Sequence, residues 1–221
     1  MILSSGLIIE TLRVSPLQAN CHIVYDSGSK SGAVIDPGGD GVRILQIIED
    51  HDLDIKIILN THGHCDHAGA NVFLREKTGA PVGIHESDAY LLNDPVRNGA
   101  AMFGIPFTPH EADIVMKDGQ DIGIGSKKFK LIHTPGHSPG GSCFYHGGEG
   151  DPPGVLFSGD TLFAGSIGRT DVPGGDYQVM MESLKRLVEE LPGDTVVFAG
   201  HGPSTTLIEE IQSNMFLKNI V

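Results

Sequence analysis

Residues 60–69 have the sequence NTHGHCDHAG. It places four metal-competent side chains within six residues, namely His62, His64, Asp66 and His67. The preceding residues 54–60, DIKIILN, predict a buried strand, and we predict a helix over about 66–77 after the loop. Imidazole and carboxylate groups are ligands for zinc, iron and similar metals. Ordinary core packing cannot satisfy four such groups so close together, so the stretch predicts a metal site at a strand-to-helix junction.

Three later segments supply further ligand-type side chains. His137 stands in the turn HTPGHSPGG, Asp160 ends the predicted strand GVLFSGD, and His201 ends the predicted strand TVVFAGH. A glycine directly precedes each of them, and glycine lets the backbone approach a site closely. In the stretch 60–69, His62 and His64 are two residues apart and can share one metal if the loop is extended. Asp66 and His67 enter the helix and face a second metal.

The rest of the chain predicts an α/β (α+β) fold with more strands than helices. Apolar residues recur with helical spacing over 41–51 and over 176–191, whereas residues 93–112 contain three prolines and have no regular period. The strands and helices do not alternate strictly, which favours two mixed sheets flanked by helices over a doubly wound parallel sheet. The predicted strands are GLIIETLRV, ANCHIVYD, GAVID, DIKIILN, APVGIH, KKFKLIHT, SCFYH, GVLFSGD and TVVFAGH. No linker divides the chain, so we expect one domain over 1–221.

Charge and cysteine content narrow the function classes. The formal net charge is −13, which argues against a nucleic-acid partner and against an anionic membrane surface. The three cysteines are odd in number and widely spaced, so they do not form a disulfide framework. Residues 2–14 lack the basic start of an export signal, and no apolar run is long enough for a transmembrane helix. These features predict a cytoplasmic protein.

The order HxHxDH, then His137, Asp160 and His201, resembles the metallo-β-lactamase superfamily, and within it the short glyoxalase II-like (hydroxyacylglutathione hydrolase-like) enzymes. The resemblance runs from LQANCHIVYD (17–26) to GHGP (200–203). It implies a four-layer αββα sandwich with the metals in a groove at one edge. It also implies two ligand sets that share Asp160. The first set is His62, His64, His137 and Asp160; the second is Asp66, His67, His201 and Asp160.

Particular residues narrow the branch of the family. β-Lactamases typically have Cys at the position of Asp160, which disfavours that activity. The segment GDTLFAGSIGRTDVPGGD (159–176) is similar to glyoxalase II and places Arg169 where that enzyme has a basic residue. Arg169 therefore predicts a substrate contact with a carboxylate, or else an ion pair with Asp171 or Asp176. Asp171 and Pro203 replace family tyrosines. Few residues follow His201, so we expect no separate C-terminal glutathione-binding helical domain.

The resemblance implies a metal-dependent thioester hydrolase that converts an S-2-hydroxyacylglutathione to a 2-hydroxy acid and a thiol. Two divalent metals, zinc first and iron or manganese as alternatives, would hold a bridging hydroxide that attacks the thioester carbonyl. Asp66 would be the catalytic residue that orients this hydroxide or accepts its proton. The expected partner is a small-molecule thioester, such as a glutathione conjugate.

Three alternatives remain at this stage. An Fe(II) persulfide dioxygenase has similar motifs and would need one early His, His137 and Asp160. The 70-residue separation of His67 from His137 is longer than expected for that branch and favours the hydrolase. Phosphodiesterase or nuclease chemistry occurs on the same fold, but the acidic balance argues against it. A structural zinc domain needs only four ligands, fewer than the seven present here.

Other candidate residues receive supporting roles. We expect Asp36 and His133 to orient ligating histidines, with His133 serving His137, because such ligands usually donate their second nitrogen to a neighbour. His85 could line the rim of the pocket. Cys65 should point away from the ligands around it. The four remaining histidines, which have no partner motif, are expected to be structural or solvated: His22, His51, His110 and His146.

Overall fold

The first half of the chain forms a six-stranded mixed sheet in a computed structural model that describes residues 6–147 and 153–219. The three N-terminal strands pair antiparallel, and the remaining three continue the sheet in parallel. Spatial order follows chain order: β1 (Leu7–Val14), β2 (Ala19–Asp26), β3 (Ser31–Ile35), β4 (Asp54–Leu59), β5 (Val82–His85) and β6 (Ile114–Met116).

The second half forms another six-stranded mixed sheet, with the spatial order β14-β13-β10-β9-β8-β7. Only β10 and β13 are parallel; the other neighbours are antiparallel. Two short strands form a separate hairpin, β11 (Leu162–Phe163) with β12 (Ser166–Ile167). The strands of the main sheet are β7 (Asp121–Ile124), β8 (Lys127–His133), β9 (Ser142–His146), β10 (Val155–Gly159), β13 (Val196–Ala199) and β14 (Thr205–Thr206).

Helices cover the outer faces of both sheets. One apolar core lies between the sheets, a second lies under α1 and α3, and a third lies under α5 and α6. This is the expected four-layer αββα sandwich, so the predicted fold class is confirmed. The helices are α1 (Gly41–Asp50), α2 (Cys65–Ala68), α3 (Asn71–Thr78), α4 (Ala100–Phe103), α5 (Tyr177–Glu190) and α6 (Leu207–Ser213), with 3-10 turns at Ala89–Asn93 and Leu217–Asn219.

The alternating pattern of β8 shows why these residues form sheets. Phe129 and Leu131 are buried against the inner core, whereas Lys128 and Lys130 between them are exposed. This period of two is what a strand with one covered face requires. The inner cluster continues across the opposite sheet, which also contributes Ile9, Val24, Ile35 and Leu59.

The predicted helix over 66–77 is wrong as one element, because two helices replace it. Gly69 packs so closely on the loop after β3 that a Cβ there would lie 2.5 Å from the carbonyl oxygen of Gly38. The N–H of Ala70 donates to the Pro37 carbonyl at 2.8 Å instead of continuing the helical ladder. The contact with this loop therefore separates α2 from α3.

The segment 93–112 is irregular, as expected, apart from the four residues of α4. Residues 2–5 of the N-terminal stretch lie outside the described residues, as do the ends of the expected domain 1–221. No helix in the described part of the chain is long and apolar enough to cross a membrane.

Candidate metal centre

Five chain segments bring the seven predicted ligand residues to one edge of the sandwich. The loop after β4 carries His62 and His64, α2 carries Asp66 and His67, and the loop after β8 carries His137. Asp160 directly follows β10, and His201 lies two residues after β13. Because β10 and β13 are parallel, their carboxyl ends meet at the same sheet edge. The two sheets meet there too, since the N–H of Ser142 donates to the Thr61 carbonyl at 2.9 Å.

The first group of donors consists of His62, His64 and His137. One ring nitrogen of each lies within 4.8 Å of the others. Nδ1 of His64 and Nε2 of His137 are 2.9 Å apart. Three imidazoles facing one point form the donor set that zinc or iron takes in proteins.

The second group of donors consists of Asp66, His67 and His201, whose ligand atoms also lie within 4.8 Å of one another. Asp160 stands between the groups. Its carboxylate oxygens lie 3.4 Å from Nε2 of His67, 3.6 Å from Nε2 of His137 and 3.8 Å from Nε2 of His201. One carboxylate thus reaches both groups, which is the arrangement that a bridging ligand requires.

Buried atoms without partners show that the residues fit metal ions. Within residues 6–147 and 153–219, Nε2 of His62, Nε2 of His67 and Oδ1 of Asp160 are buried and have no hydrogen-bond partner. Such orphaned polar atoms are costly in a folded protein unless a ligand satisfies them. Gly200 leaves the necessary room, because a Cβ there would overlap the Asp160 carboxylate. The site therefore fits two divalent metals.

Asp36 determines the tautomers of two ligand histidines. Its carboxylate accepts hydrogen bonds from the N–H and the hydroxyl of Thr61, both at 2.7 Å, and from Nδ1 of His67 at 3.0 Å. Because the Thr61 hydroxyl donates to Asp36, it can only accept from Nδ1 of His62, 3.1 Å away. Both imidazoles therefore carry a proton on Nδ1, so that Nε2 is the nitrogen that can bind a metal. The ligand atoms of a third group, Asp36, His62 and His67, also lie within 4.8 Å of one another. The Asp36 carboxylate, however, already accepts hydrogen bonds from Thr61 and His67.

The supporting partner of His137 differs from the expected one. Nδ1 of His137 donates to the backbone carbonyl of Arg169 at 2.7 Å. His133, which was expected to orient His137, instead bonds the Pro139 carbonyl through Nε2 at 2.9 Å. Its ring also stacks on His85 with the centroids 3.9 Å apart. The expectation for His133 is therefore wrong, because the turn at Gly136 carries His137 away from the end of β8.

Asp88 joins the two loops that carry the first group, a role that we did not predict. Its carboxylate is fully buried and accepts from the N–H of Gly63 at 3.0 Å, the hydroxyl of Ser138 at 2.6 Å and the N–H of Gly140 at 2.6 Å. The sequence signal was weak, since Asp88 follows a short strand without any motif. Burial raises its pKa despite these donors.

Burial and neighbouring charges set the pKa values in the centre. Burial, assisted by neighbouring histidines, lowers the pKa of His62 well below its ordinary value and that of His64 to about 3. These rings are neutral and can donate a lone pair to a metal. Burial also disfavours the charged form of His67, but the carboxylates of Asp66, Asp160 and Asp36 outweigh it and raise this pKa to about 10. A metal would take the place of that proton among the carboxylates.

The Arg169 side chain is exposed and forms a two-pronged ion pair with Asp171, with N–O distances of 2.8 and 2.9 Å. The ion-pair interpretation made from the sequence thus describes this structure, with Asp171 and not Asp176 as the partner. Asp176 instead caps α5 by accepting from two backbone N–H groups. Cys65 is buried beside Gly99, and burial raises the pKa of its thiol to about 11.

The remaining histidines are held by structural contacts. His85 is buried and stacks on His133. Desolvation, with the neighbouring His133 as the second cause, lowers the pKa of His85 to about 4. Each of the other four has a polar partner: Thr11 for His22, Glu10 for His51, Asn71 for His110 and the Lys128 carbonyl for His146.

Comparison with known proteins agrees with this geometry. The family model for the metallo-β-lactamase superfamily matches residues 14–201. The chain is 38% identical to the hydroxyacylglutathione hydrolase GloC of Haemophilus influenzae, over 96% of this chain and 98% of that relative. It is also similar to the solved structure of the B3 metallo-β-lactamase BLEG-1 (37% identity, TM-score 0.88, 95% of this chain and 99% of the other). A second similar structure is TTHA1623 in a di-iron-bound form (36% identity, TM-score 0.83, 94% of this chain and 100% of the other). The family model spans most of the chain and all seven ligand-type residues, and the chain therefore belongs to the metallo-β-lactamase superfamily.

Proposed function

We propose that this protein is a dinuclear metal-dependent hydrolase of small-molecule thioesters, similar to glyoxalase II. The observation that carries the proposal is the convergence of two three-residue donor groups on the single carboxylate of Asp160. The similarity to GloC over nearly the whole chain supports a hydroxyacylglutathione as the substrate.

The residues of the chain divide the work of holding two ions. His62, His64 and His137 would hold the first ion, Asp66, His67 and His201 the second, and Asp160 both. Zinc is our first choice, and the di-iron form of TTHA1623 supports iron as the alternative. When bound, a pair of divalent ions supplies Lewis acidity that activates water and polarises a carbonyl group.

Beyond holding the ions, the protein has to position the substrate and accept the proton of the attacking water. Asp66 is the catalytic residue in our proposal: its carboxylate lies 3.4 Å from Nε2 of His201 and would take up the proton of the attacking water. The thiol of a thioester has a pKa of about 8.5, so it leaves as a thiolate without a strong general acid. This explains why the site needs no protonated acid opposite Asp66.

Hydrolysis of S-D-lactoylglutathione by the metal-loaded protein tests the proposal, followed by loss of thioester absorbance. The wild type should turn the substrate over at ordinary enzyme rates, at least about 1 s⁻¹. Asp160→Ala should abolish turnover. Asp194→Ala removes an exposed carboxylate outside the centre and should behave as the wild type. Equal activity in the wild type and Asp160→Ala, or turnover in neither, would refute the assignment.

Hydrolysis of a β-lactam ring is a second candidate, favoured by the similarity to BLEG-1. Asp160 stands where β-lactamases typically have Cys, which favours the thioester over the β-lactam. A chromogenic cephalosporin assayed beside the thioester decides between them. The thioester proposal expects a much higher kcat/KM for the thioester, and the reverse order would make the β-lactam the substrate.

A further inference from the structure

A cavity of about 620 Å³ has two arginines, Arg13 and Arg43, in its wall. Arg13 lies in β1 and Arg43 lies in α1. The Arg43 guanidinium donates to the backbone carbonyl of Arg13 at 3.3 Å, which holds the Arg43 side chain against the strand that carries Arg13. Gly38, from the loop after β3, and Gly69, from the break between α2 and α3, pack together and also line the cavity.

The two arginines are not neutralised by the protein. Neither has an ion-pair partner among residues 6–147 and 153–219, although the chain carries a net charge of −13. Among the described residues of the cavity wall, Asp40 is the one acidic residue. Its carboxylate accepts from the N–H of Ser15 at 3.0 Å and forms no ion pair with either arginine in the described chain. The cavity is therefore a site of positive charge on an acidic protein.

The start of α1 adds to this preference for an anion. Asp40 occupies the N-cap position, but its side chain makes no capping hydrogen bond to the helix, and the first turn contains no acidic residue. That turn contains Arg43 instead. The N-terminal end of a helix carries partial positive charge and unsatisfied N–H groups, so a cation there is unfavourable and an anion is favourable. A bound anion would relieve this arrangement.

An apolar part of the wall points to an organic ligand. Ile105 and Pro106, from the irregular segment, line the same cavity as the arginines. A ligand with an acidic group and an apolar body would contact both the arginines and this apolar part of the wall.

The cavity adjoins the segments that carry the second group of donors. Gly38 packs directly on the backbone of Asp66, and Gly69 lies two residues after His67. Arg13 also lines a smaller cavity of about 240 Å³ whose wall includes residues 202–204, directly after His201. A ligand in the large cavity would therefore lie next to the candidate metal centre.

We propose that this cavity, with Arg13 and Arg43, binds an acidic group, a carboxylate or a phosphate, on the thiol carrier of the thioester substrate. The inference rests on the proposed thioester hydrolysis and specifies how the carrier is recognised. The acyl end would then face the metal centre, while the acidic end of the carrier lies against the arginines.

Binding of thioethers, which cannot be hydrolysed, tests this assignment by calorimetry on the metal-loaded protein. S-methylglutathione offers carboxylates, S-methyl coenzyme A offers phosphates, and the diethyl ester of S-methylglutathione offers neither. At least one acidic probe should bind the wild type, and the double variant Arg13→Gln/Arg43→Gln should weaken it by about tenfold. The diethyl ester should bind both proteins equally. The acidic probe that responds identifies the group.

Two controls separate charge from folding. Arg43→Lys keeps the charge and should retain most of the affinity, and Lys185→Gln removes a distant cation on α5 and should retain all of it. Unchanged affinity of both acidic probes in the double variant would overturn the assignment, as would the absence of binding to the wild type. Binding that is intact without any thioester hydrolysis would instead refute the proposed reaction and leave the cavity assignment standing.

Discussion

Nδ1 of His137 donates a hydrogen bond to the backbone carbonyl of Arg169 across 2.7 Å. A carbonyl oxygen can only accept, so this bond places the ring proton on Nδ1 and directs Nε2 toward His64 and Asp160. The main chain at Arg169 thus positions a ligand, while its side chain is held by Asp171.

The Arg169–Asp171 ion pair therefore shapes the loop whose backbone carbonyl holds His137. Arg169→Gln and Asp171→Asn should each lower kcat/KM by a similar small factor, about twofold to threefold, because the pair is exposed. The double variant should be no worse than either single variant, since both remove the same interaction. Steady-state kinetics on the four proteins measures this. A much larger KM effect from Arg169→Gln alone would mean that the guanidinium binds substrate.

Asp36 should control metal affinity without touching the metal. In Asp36→Asn one amide oxygen replaces two carboxylate oxygens, so an NH₂ group faces either the N–H of Thr61 or the donors at the Thr61 hydroxyl and at Nδ1 of His67. Either arrangement disturbs the contacts that fix the tautomers of both imidazoles. We expect zinc affinity to fall by about 10- to 100-fold, the usual effect of removing such a partner. Competition with a chromogenic chelator measures it, with Glu49→Gln on the exposed face of α1 as the control. Unchanged affinity in Asp36→Asn would contradict this role.

Asp88 should matter for both stability and the metal centre. Asp88→Asn keeps the shape but replaces one of the acceptor oxygens that serve Gly63, Ser138 and Gly140. A buried donor left without a partner costs about 1–3 kcal/mol in the free energy of unfolding. Urea denaturation of the metal-free protein checks the stability, and chelator competition checks the centre. A variant as stable as the wild type would contradict this role of Asp88.

Much of the centre was predictable from the sequence because its residues cluster or follow glycines at strand ends. Four ligand-type residues share one six-residue stretch, and Gly200 before His201 signals a close approach. The two-sheet architecture was also predictable, since apolar alternation marks strands such as β8. The resemblance then gave the pairing of distant segments, which local patterns do not contain.

Other features depended on contacts that no local pattern reports. The break between α2 and α3 arises where Pro37 and Gly38 meet Gly69 and Ala70. The support of His137 comes from a backbone carbonyl, which has no side-chain signature. The short strands β6 and β7 and the helix α6 were missed because three to seven residues carry too little periodicity.

Asp26 should make stability sensitive to acid. The N–H of Ser126, 3.0 Å away, is the main cause that lowers its pKa to about 2, and Gly28 and Ser29 add further hydrogen bonds. The carboxylate has the lower pKa in the folded state, so its contribution is full above about pH 4 and is lost as pH falls toward 2. The destabilisation by Asp26→Asn should therefore be larger at pH 5 than at pH 2.5 in urea titrations. An equal difference at both pH values would contradict this.

The number of divalent ions bound per chain at saturation distinguishes a dinuclear centre from a mononuclear one. Elemental analysis of the purified, zinc-loaded protein after removal of free metal provides it. Two donor groups joined by Asp160 predict two ions per chain. A single ion at saturation would contradict the dinuclear centre. It would favour the alternative interpretation of the same motifs, a persulfide dioxygenase with one iron.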